Sequence, residues 1–186
     1  TKINGRHITA YGDASMVSFH ATKVYNSIEG GMLAFKDKGI GDKLARYKNF
    51  GIDYVNEDVD LCGFNAKMNE FQAAMGICNL RHLQEEIEKR KKVVEYYRTQ
   101  LKDIPGIRLN VIQEDVESNY AYFPVLFDER EFGATRNEVY DKLKENNIFS
   151  RKYFYPLTNT FECYRSQYDV SDTPVALKAS KRILPL

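Results

Sequence analysis

Apolar residues recur at alternating three- and four-residue steps through Leu80, Leu83, Ile87, Val94, Tyr97 and Leu101, with Arg90 filling one slot. This spacing lays one apolar stripe along an amphipathic helix, placed by the pattern within Asn65–Lys102. A continuous helix over Met68–Lys102 would measure roughly 50 Å, longer than a compact domain ordinarily uses. A kink or break is therefore expected near Gly76–Arg81. Pro105-Gly106 ends the helix. The stripe holds for only about three heptads, which gives little support to a coiled-coil dimer.

Either side of this helix the period changes. Ser15–Phe19 alternates, Met32–Phe35 is a short apolar run, and Ile28-Glu29-Gly30-Gly31 turns the chain between them, predicting strand, turn, strand. Thr1–Gly12 reads as loop with at most one short strand. Leu44, Tyr47 and Lys48 give Lys36–Gly51 helical spacing, and the acid-rich Ile52–Leu61 reads as an exposed connector. Beyond the long helix, Ile107–Ile112 and Tyr120–Phe127 read as strands, with Pro124 putting the second near an edge or bulge. Thr135–Asn146 is a helix with Val139, Tyr140 and Leu143 on its apolar face. Ile148–Tyr155 returns as a strand, and Asp172–Leu184 is a last helix with Pro174 in its first turn. This order describes a small α+β domain after a connecting helix.

The composition fits a globular chain. Of 186 residues 43% are hydrophobic, with 13 Tyr and 11 Phe, enough for a real core. Lys and Arg number 27 against 26 Asp and Glu, so nothing points to a nucleic-acid surface. No apolar run approaches the roughly 20 residues needed to span a bilayer. Cys62, Cys78 and Cys163 are scattered, as are His7, His20 and His82, and neither set has the spacing of a metal site or a disulfide framework. Reduced thiols of this kind suit a cytoplasmic protein.

Candidate chemistry is concentrated at Lys23. It follows Ser18-Phe19-His20 and precedes Glu29-Gly30-Gly31, between the two predicted strands. An isolated lysine is ordinarily a solvated surface residue. In general a desolvated ammonium can lose its proton near neutral pH and act as a nucleophile. A second phrase, Gly63-Phe64-Asn65-Ala66-Lys67-Met68, is followed by Glu70 and Ala73-Ala74; a third is Arg151-Lys152-Tyr153-Phe154-Tyr155-Pro156. Asn65 also has the chemistry of a cap for the helix that follows. The third phrase combines aromatic rings, which suit an apolar ligand face, with cations, which suit an anionic group.

The first two phrases resemble the DegT/StrS-type sugar aminotransferases, enzymes that use pyridoxal 5′-phosphate (PLP) to aminate keto-sugars carried on nucleotides. The resemblance implies that Lys23 is the catalytic, cofactor-bearing lysine, that Ser18 binds the cofactor phosphate, and that His20 packs against cofactor or substrate. In the second phrase it implies that Asn65 reaches the cofactor phosphate of a neighbouring subunit, so that a homodimer shares its sites. Lys67, where many members carry Arg, is implied as a substrate contact, and Tyr153 and Tyr155 resemble the approach to the sugar nucleotide. The implied fold class is α/β, as the C-terminal part of a fold-type-I PLP-dependent transferase. Residues 1–61 would end the large PLP-binding domain; residues 62–186 would form the connecting helix and the small α+β domain.

The resemblance covers essentially this whole chain but only the C-terminal half of the family. It therefore implies a fragment that is inactive alone. The family's acid on the pyridine nitrogen, its ring-stacking aromatic and its phosphate loop all precede the lysine by more than the 22 residues present here, and Asp13 lies too close to be that acid. The implied reaction passes an amino group, from glutamate, to a nucleotide-linked keto-sugar such as a dTDP-4-keto-6-deoxyhexose, in polysaccharide or amino-sugar biosynthesis. The alternative is a non-catalytic binding or regulatory protein that keeps the fold. A dehydratase branch of the family replaces the lysine by histidine, and Lys23 argues against it.

Overall fold

The computed structural model describes residues 1–186. In chain order it contains β1 (Lys2–Ile3), β2 (Arg6–His7), β3 (Ala14–Ser18), β4 (Gly31–Phe35), α1 (Gly41–Tyr47), β5 (Ile52–Asp53), β6 (Asp58–Val59) and α2 (Glu70–Leu101). It continues through β7 (Ile107–Leu109), β8 (Val116–Glu117), β9 (Pro124–Phe127), α3 (Glu129–Phe132), α4 (Arg136–Glu145), α5 (Pro174–Arg182) and β10 (Ile183–Pro185). The chain divides into two units, one of residues 1–89 with 114–119 and the other of residues 90–113 with 120–186.

In the first unit β3 and β4 form the predicted antiparallel hairpin, in register from Ala14–Phe35 to Ser18–Gly31. The segment read as loop, Thr1–Gly12, instead holds the hairpin β1–β2, which pairs through β1 with β8. The acidic stretch after Gly51 also differs from expectation: it folds back as the hairpin β5–β6. Arg46 of α1 is the reason, since it bonds Asp53 at 3.1 Å and Asp60 at 2.7 Å and so gathers carboxylates that would otherwise repel one another.

Helix α2 runs 32 residues without the expected break. Gly76 is the buried residue of its first half; glycine costs a helix interior only about 1 kcal/mol, which local packing readily offsets. The helix starts at Glu70, and its cap is Asn69, not Asn65. Asn69 Oδ1 accepts from the Gln72 N–H at 2.9 Å, and Gln72 Oε1 accepts from the Asn69 N–H at 3.2 Å, a reciprocal capping box.

The second unit is built on the antiparallel sheet β10-β9-β7. Alternation along β9 turns Val125 and Phe127 to one face, where they form the core with Phe123, just before the strand, and Leu184. Val94, Tyr97 and Leu101 of α2 and Val139, Tyr140 and Leu143 of α4 pack on this cluster. Two expectations are corrected here. Ile148–Tyr155 is irregular, not a strand, and the third strand is the chain's tail, which leaves helix at Arg182. Ile183 and Leu184 are apolar and β-competent, and Leu184 fills the core completely. Consequently β9 is the central strand, and Pro124 sits at its first residue opposite Pro185, one of the few places a sheet accepts proline.

Asp128 ties the end of β9 to its surroundings. It caps α3 by accepting from the Arg130 N–H, and its carboxylate pairs with Arg182 at 2.5 Å and Arg108 at 3.5 Å. The hydrogen bond from Arg182, then the Arg130 N–H and the two guanidinium charges, hold its pKa below the ordinary aspartate value. A lowered folded-state pKa contributes stability that is present above the unfolded value of about 3.9 and is lost as pH falls through the folded value. Acid unfolding followed by circular dichroism is expected to be less steep below pH ~4 in Asp128→Asn than in wild type. Identical acid limbs would remove Asp128 from the pH response.

Candidate functional site

After Ser18 the chain leaves β3 and makes a compact turn before re-entering as β4. Phe19 N–H donates to Gly30 O at 2.8 Å and Ser27 N–H donates to Phe19 O at 3.0 Å, so the turn is pinned at its base. Phe19 and Tyr25 pack edge to face at 4.9 Å inside it. The Lys23 N–H donates to His20 O at 2.9 Å, and Asn26 Nδ2 donates to Lys23 O at 3.3 Å, which fixes the lysine backbone on both sides. The Lys23 side chain is half-buried, and its amine makes no hydrogen bond or ion pair.

Helix α2 supplies the wall behind this turn with a face of small and polar residues. Asn79 Nδ2 donates to Asn26 O at 3.0 Å. One turn earlier, a Cβ on Gly76 would lie 3.0 Å from the Tyr25 hydroxyl and 3.4 Å from Ser27 Cβ. Gly76 thus lets the helix backbone approach the lysine turn. Gly76→Leu is expected to destabilise the protein by about 1–3 kcal/mol through overpacking, read from the denaturation midpoint. A midpoint equal to wild type would contradict this close approach.

Gly30 closes the turn with φ +151, and a Cβ there would meet Ser27 Oγ at 2.6 Å and Met68 Cε at 2.7 Å. Met68 therefore brings the end of the second sequence phrase against the lysine turn. Within that phrase Asn65 forms a β-bridge with Asn49 through the backbone, and its side chain makes no hydrogen bond. Lys67 is held elsewhere: Nζ donates to Asn49 Oδ1 at 2.8 Å and lies 4.4 Å from the Phe50 ring centre.

Ser18, His20 and Lys23 are thus gathered in one turn, and Asn65 and Lys67 belong to the same unit. Ser18 Oγ accepts the His20 N–H at 3.4 Å, leaving its own O–H to donate. His20 Nδ1 lies 2.6 Å from Glu29 Oε1, which orients the ring from across the turn. Tyr153 and Tyr155 lie in the second unit. Arg151 donates to the Tyr153 hydroxyl at 2.7 Å, and Tyr155 has the Arg136 guanidinium over its ring at 5.0 Å. Ser27, Asn26, Gly76 and Asn79 build the site but belong to none of the sequence phrases that point to it. Their available signal was Gly76 and Asn79, three residues apart on one helix face without a large apolar side chain.

These groups fit PLP as far as this chain supplies them. The unpartnered primary amine of half-buried Lys23 matches an aldehyde, and a free serine O–H and a free amide match phosphate oxygens. Residues 1–186 match the DegT/DnrJ/EryC1/StrS aminotransferase family. The chain is 38% identical over 180 residues to dTDP-4-amino-4,6-dideoxy-D-glucose transaminase of Shigella dysenteriae, covering 96% of this chain and 48% of that protein. It is 30% identical over 188 residues to GDP-perosamine synthase of Vibrio cholerae, covering 98% and 49%. Among solved structures, DesI in the presence of its TDP-sugar product superposes with a TM-score of 0.89 at 33% identity, covering 99% of this chain and 46% of that one. The chain spans about half the length of the curated relatives it matches. The match over all its residues and the shared α/β architecture of the fold-type-I PLP enzymes lead to one assignment: this chain belongs to the DegT/DnrJ/EryC1/StrS aminotransferase family.

Proposed function

We propose that the complete protein transfers an amino group from an amino acid, glutamate, to the ketone of a nucleotide-linked sugar, a dTDP-4-keto-6-deoxyhexose, with PLP as cofactor. The observation that carries this reading is Lys23, a half-buried residue whose amine has no partner, in a turn pinned from both sides. The 38% identity to a dTDP-sugar transaminase supports the choice of nucleotide sugar. Lys23 would hold the cofactor, and Ser18 and Asn65 would donate to its phosphate. When bound, PLP supplies an electron sink for the carbon whose proton is moved. Lys23 Nζ takes that proton up and returns it, which requires an amine not engaged by an acid. His20, oriented by Glu29, would pack beside the cofactor. Lys67, Tyr153 and Tyr155 would contact the substrate.

In this reading residues 1–61 end the large PLP-binding domain, and residues 62–186 are the connecting helix with the small domain. The protein works in the cytoplasm, in amino-sugar or polysaccharide biosynthesis; no helix of the structure is long and apolar enough to cross a membrane. Incubating the purified complete gene product with PLP, glutamate and candidate nucleotide keto-sugars is expected to release the keto acid of glutamate and an amino sugar in equal amounts. Failure with every dTDP- and GDP-linked keto-sugar would overturn the assignment.

We also propose a homodimer in which Asn65 serves the partner's cofactor. Mixing inactive Lys23→Ala and Asn65→Ala proteins, with subunit exchange, then restores one intact site in each mixed dimer. Activity is expected to recover to about a quarter of wild type, because half the dimers are mixed and each has one working site of two. No recovery after demonstrated exchange would mean that both residues act in one subunit.

A further inference from the structure

The second unit contains a pocket of about 710 Å³ whose lining includes Arg136, Tyr155, Lys178, Lys181 and Arg182. Arg136 is only 2% exposed and has no carboxylate partner. Nε donates to Asn137 Oδ1 at 3.0 Å and Nη1 to Ile183 O at 2.9 Å, while Nη2 makes no hydrogen bond. A guanidinium stays charged under all ordinary conditions; burial here lowers the Arg136 pKa, opposed by Tyr155, without a counter-ion to compensate it. A buried charge normally has a partner, so its absence is an unmet electrostatic demand.

The rest of the lining adds to that demand. Lys178 and Lys181 lie three residues apart on α5, both exposed and without an ion pair, as is Arg130. Five cations line the pocket against two carboxylates. Of these two, Asp128 is already committed to Arg182 and Arg108. Two lysines, which act as mobile point charges, beside a fixed guanidinium match a ligand carrying several oxygens at more than one position.

We propose that this pocket binds the diphosphate group of a ligand, with Arg136 as its buried anchor and Lys178 and Lys181 as its outer contacts. The inference shares Tyr155 with the amino-transfer reading, but its anchor and outer contacts, Arg136, Lys178 and Lys181, have no role in that reading. Two sources present this chemistry, free inorganic diphosphate and a nucleoside diphosphate.

The test is calorimetric titration of the PLP-loaded complete gene product, so that the cofactor's phosphate site is filled. Pyrophosphate and thymidine diphosphate are titrated separately into wild type, Lys178→Gln/Lys181→Gln and the control Lys142→Gln. Lys142 pairs with Glu145 on α4 and does not line the pocket. Because neither pocket lysine makes a bond in the folded protein, the double variant keeps its fold, checked by its melting temperature. Saturable binding is expected, weakened about tenfold or more in the double variant and unchanged in the control, with the difference shrinking as salt rises. Only the binding lost in the double variant is assigned to the pocket: an equal loss for the two ligands assigns it to free diphosphate, and a larger loss for thymidine diphosphate assigns it to a nucleotide ligand. Absence of binding, or equal affinity in wild type and the double variant, overturns the proposal.

Discussion

Lys23→Ala in the complete gene product is expected to abolish amino transfer and remove the visible absorbance of bound PLP. The size of the effect follows from the two tasks proposed for one side chain. Loss of a positioned proton-transfer group costs about 10²–10⁴ in rate, and loss of the covalent attachment to the cofactor adds to that. Stability should change little, since the Lys23 amine makes no hydrogen bond or ion pair and the turn is held by its neighbours' backbone. Lys23→Arg separates chemistry from charge. It restores a cation of similar length, but a guanidinium does not lose its proton to attack an aldehyde. A structural or purely electrostatic role would be rescued by arginine; a catalytic one would not. Turnover and absorbance retained in Lys23→Ala would sink the assignment of this residue.

How much of this was legible beforehand depends on the kind of signal each residue carries. The hairpin around Lys23 could be read because alternation and paired glycines are local, and the hairpin's register follows from its turn. The start of α2 is ambiguous in the sequence because Asn65 and Asn69 are both good caps. Only Asn69 has a Gln three residues on, and Gln72 completes the reciprocal bonds. The expected break near Gly76 rests on length alone, whereas the glycine admits the Tyr25 and Ser27 side chains, a tertiary fact without a sequence period. Leu80 belongs to the apolar stripe by spacing, yet is 58% exposed. Periodicity identifies a face, not what lies against it. Arg136 carried no signal at all, because its burial depends on the tail of the chain returning as β10 with Ile183 O as acceptor.

That returning tail is also where the largest loss of stability is expected. Leu184 has no exposed surface and sits on β10 opposite Val125 of the central strand, in the cluster with Phe123 and Phe127. Removing its side chain beyond Cβ leaves a cavity between sheet and helices that strand pairing on one side and the packed rings on the other keep from collapsing. Leu184→Ala is accordingly expected to cost about 2–5 kcal/mol, the range for leucine truncated in a rigid core. Val175→Ala, on α5 and 81% exposed, is the matched control, with an expected change within about 0.5 kcal/mol. The contrast discriminates between the two readings of the tail. Had Asp172–Leu184 been one amphipathic helix, Leu184 would be its final, fraying residue, and its truncation would resemble the control. Guanidinium denaturation followed by tyrosine fluorescence is weighted to the second unit, which holds nine of the 13 tyrosines and whose core stacks Tyr97 on Phe123 at 5.6 Å. A Leu184→Ala midpoint matching that of Val175→Ala would show that the tail does not complete this core.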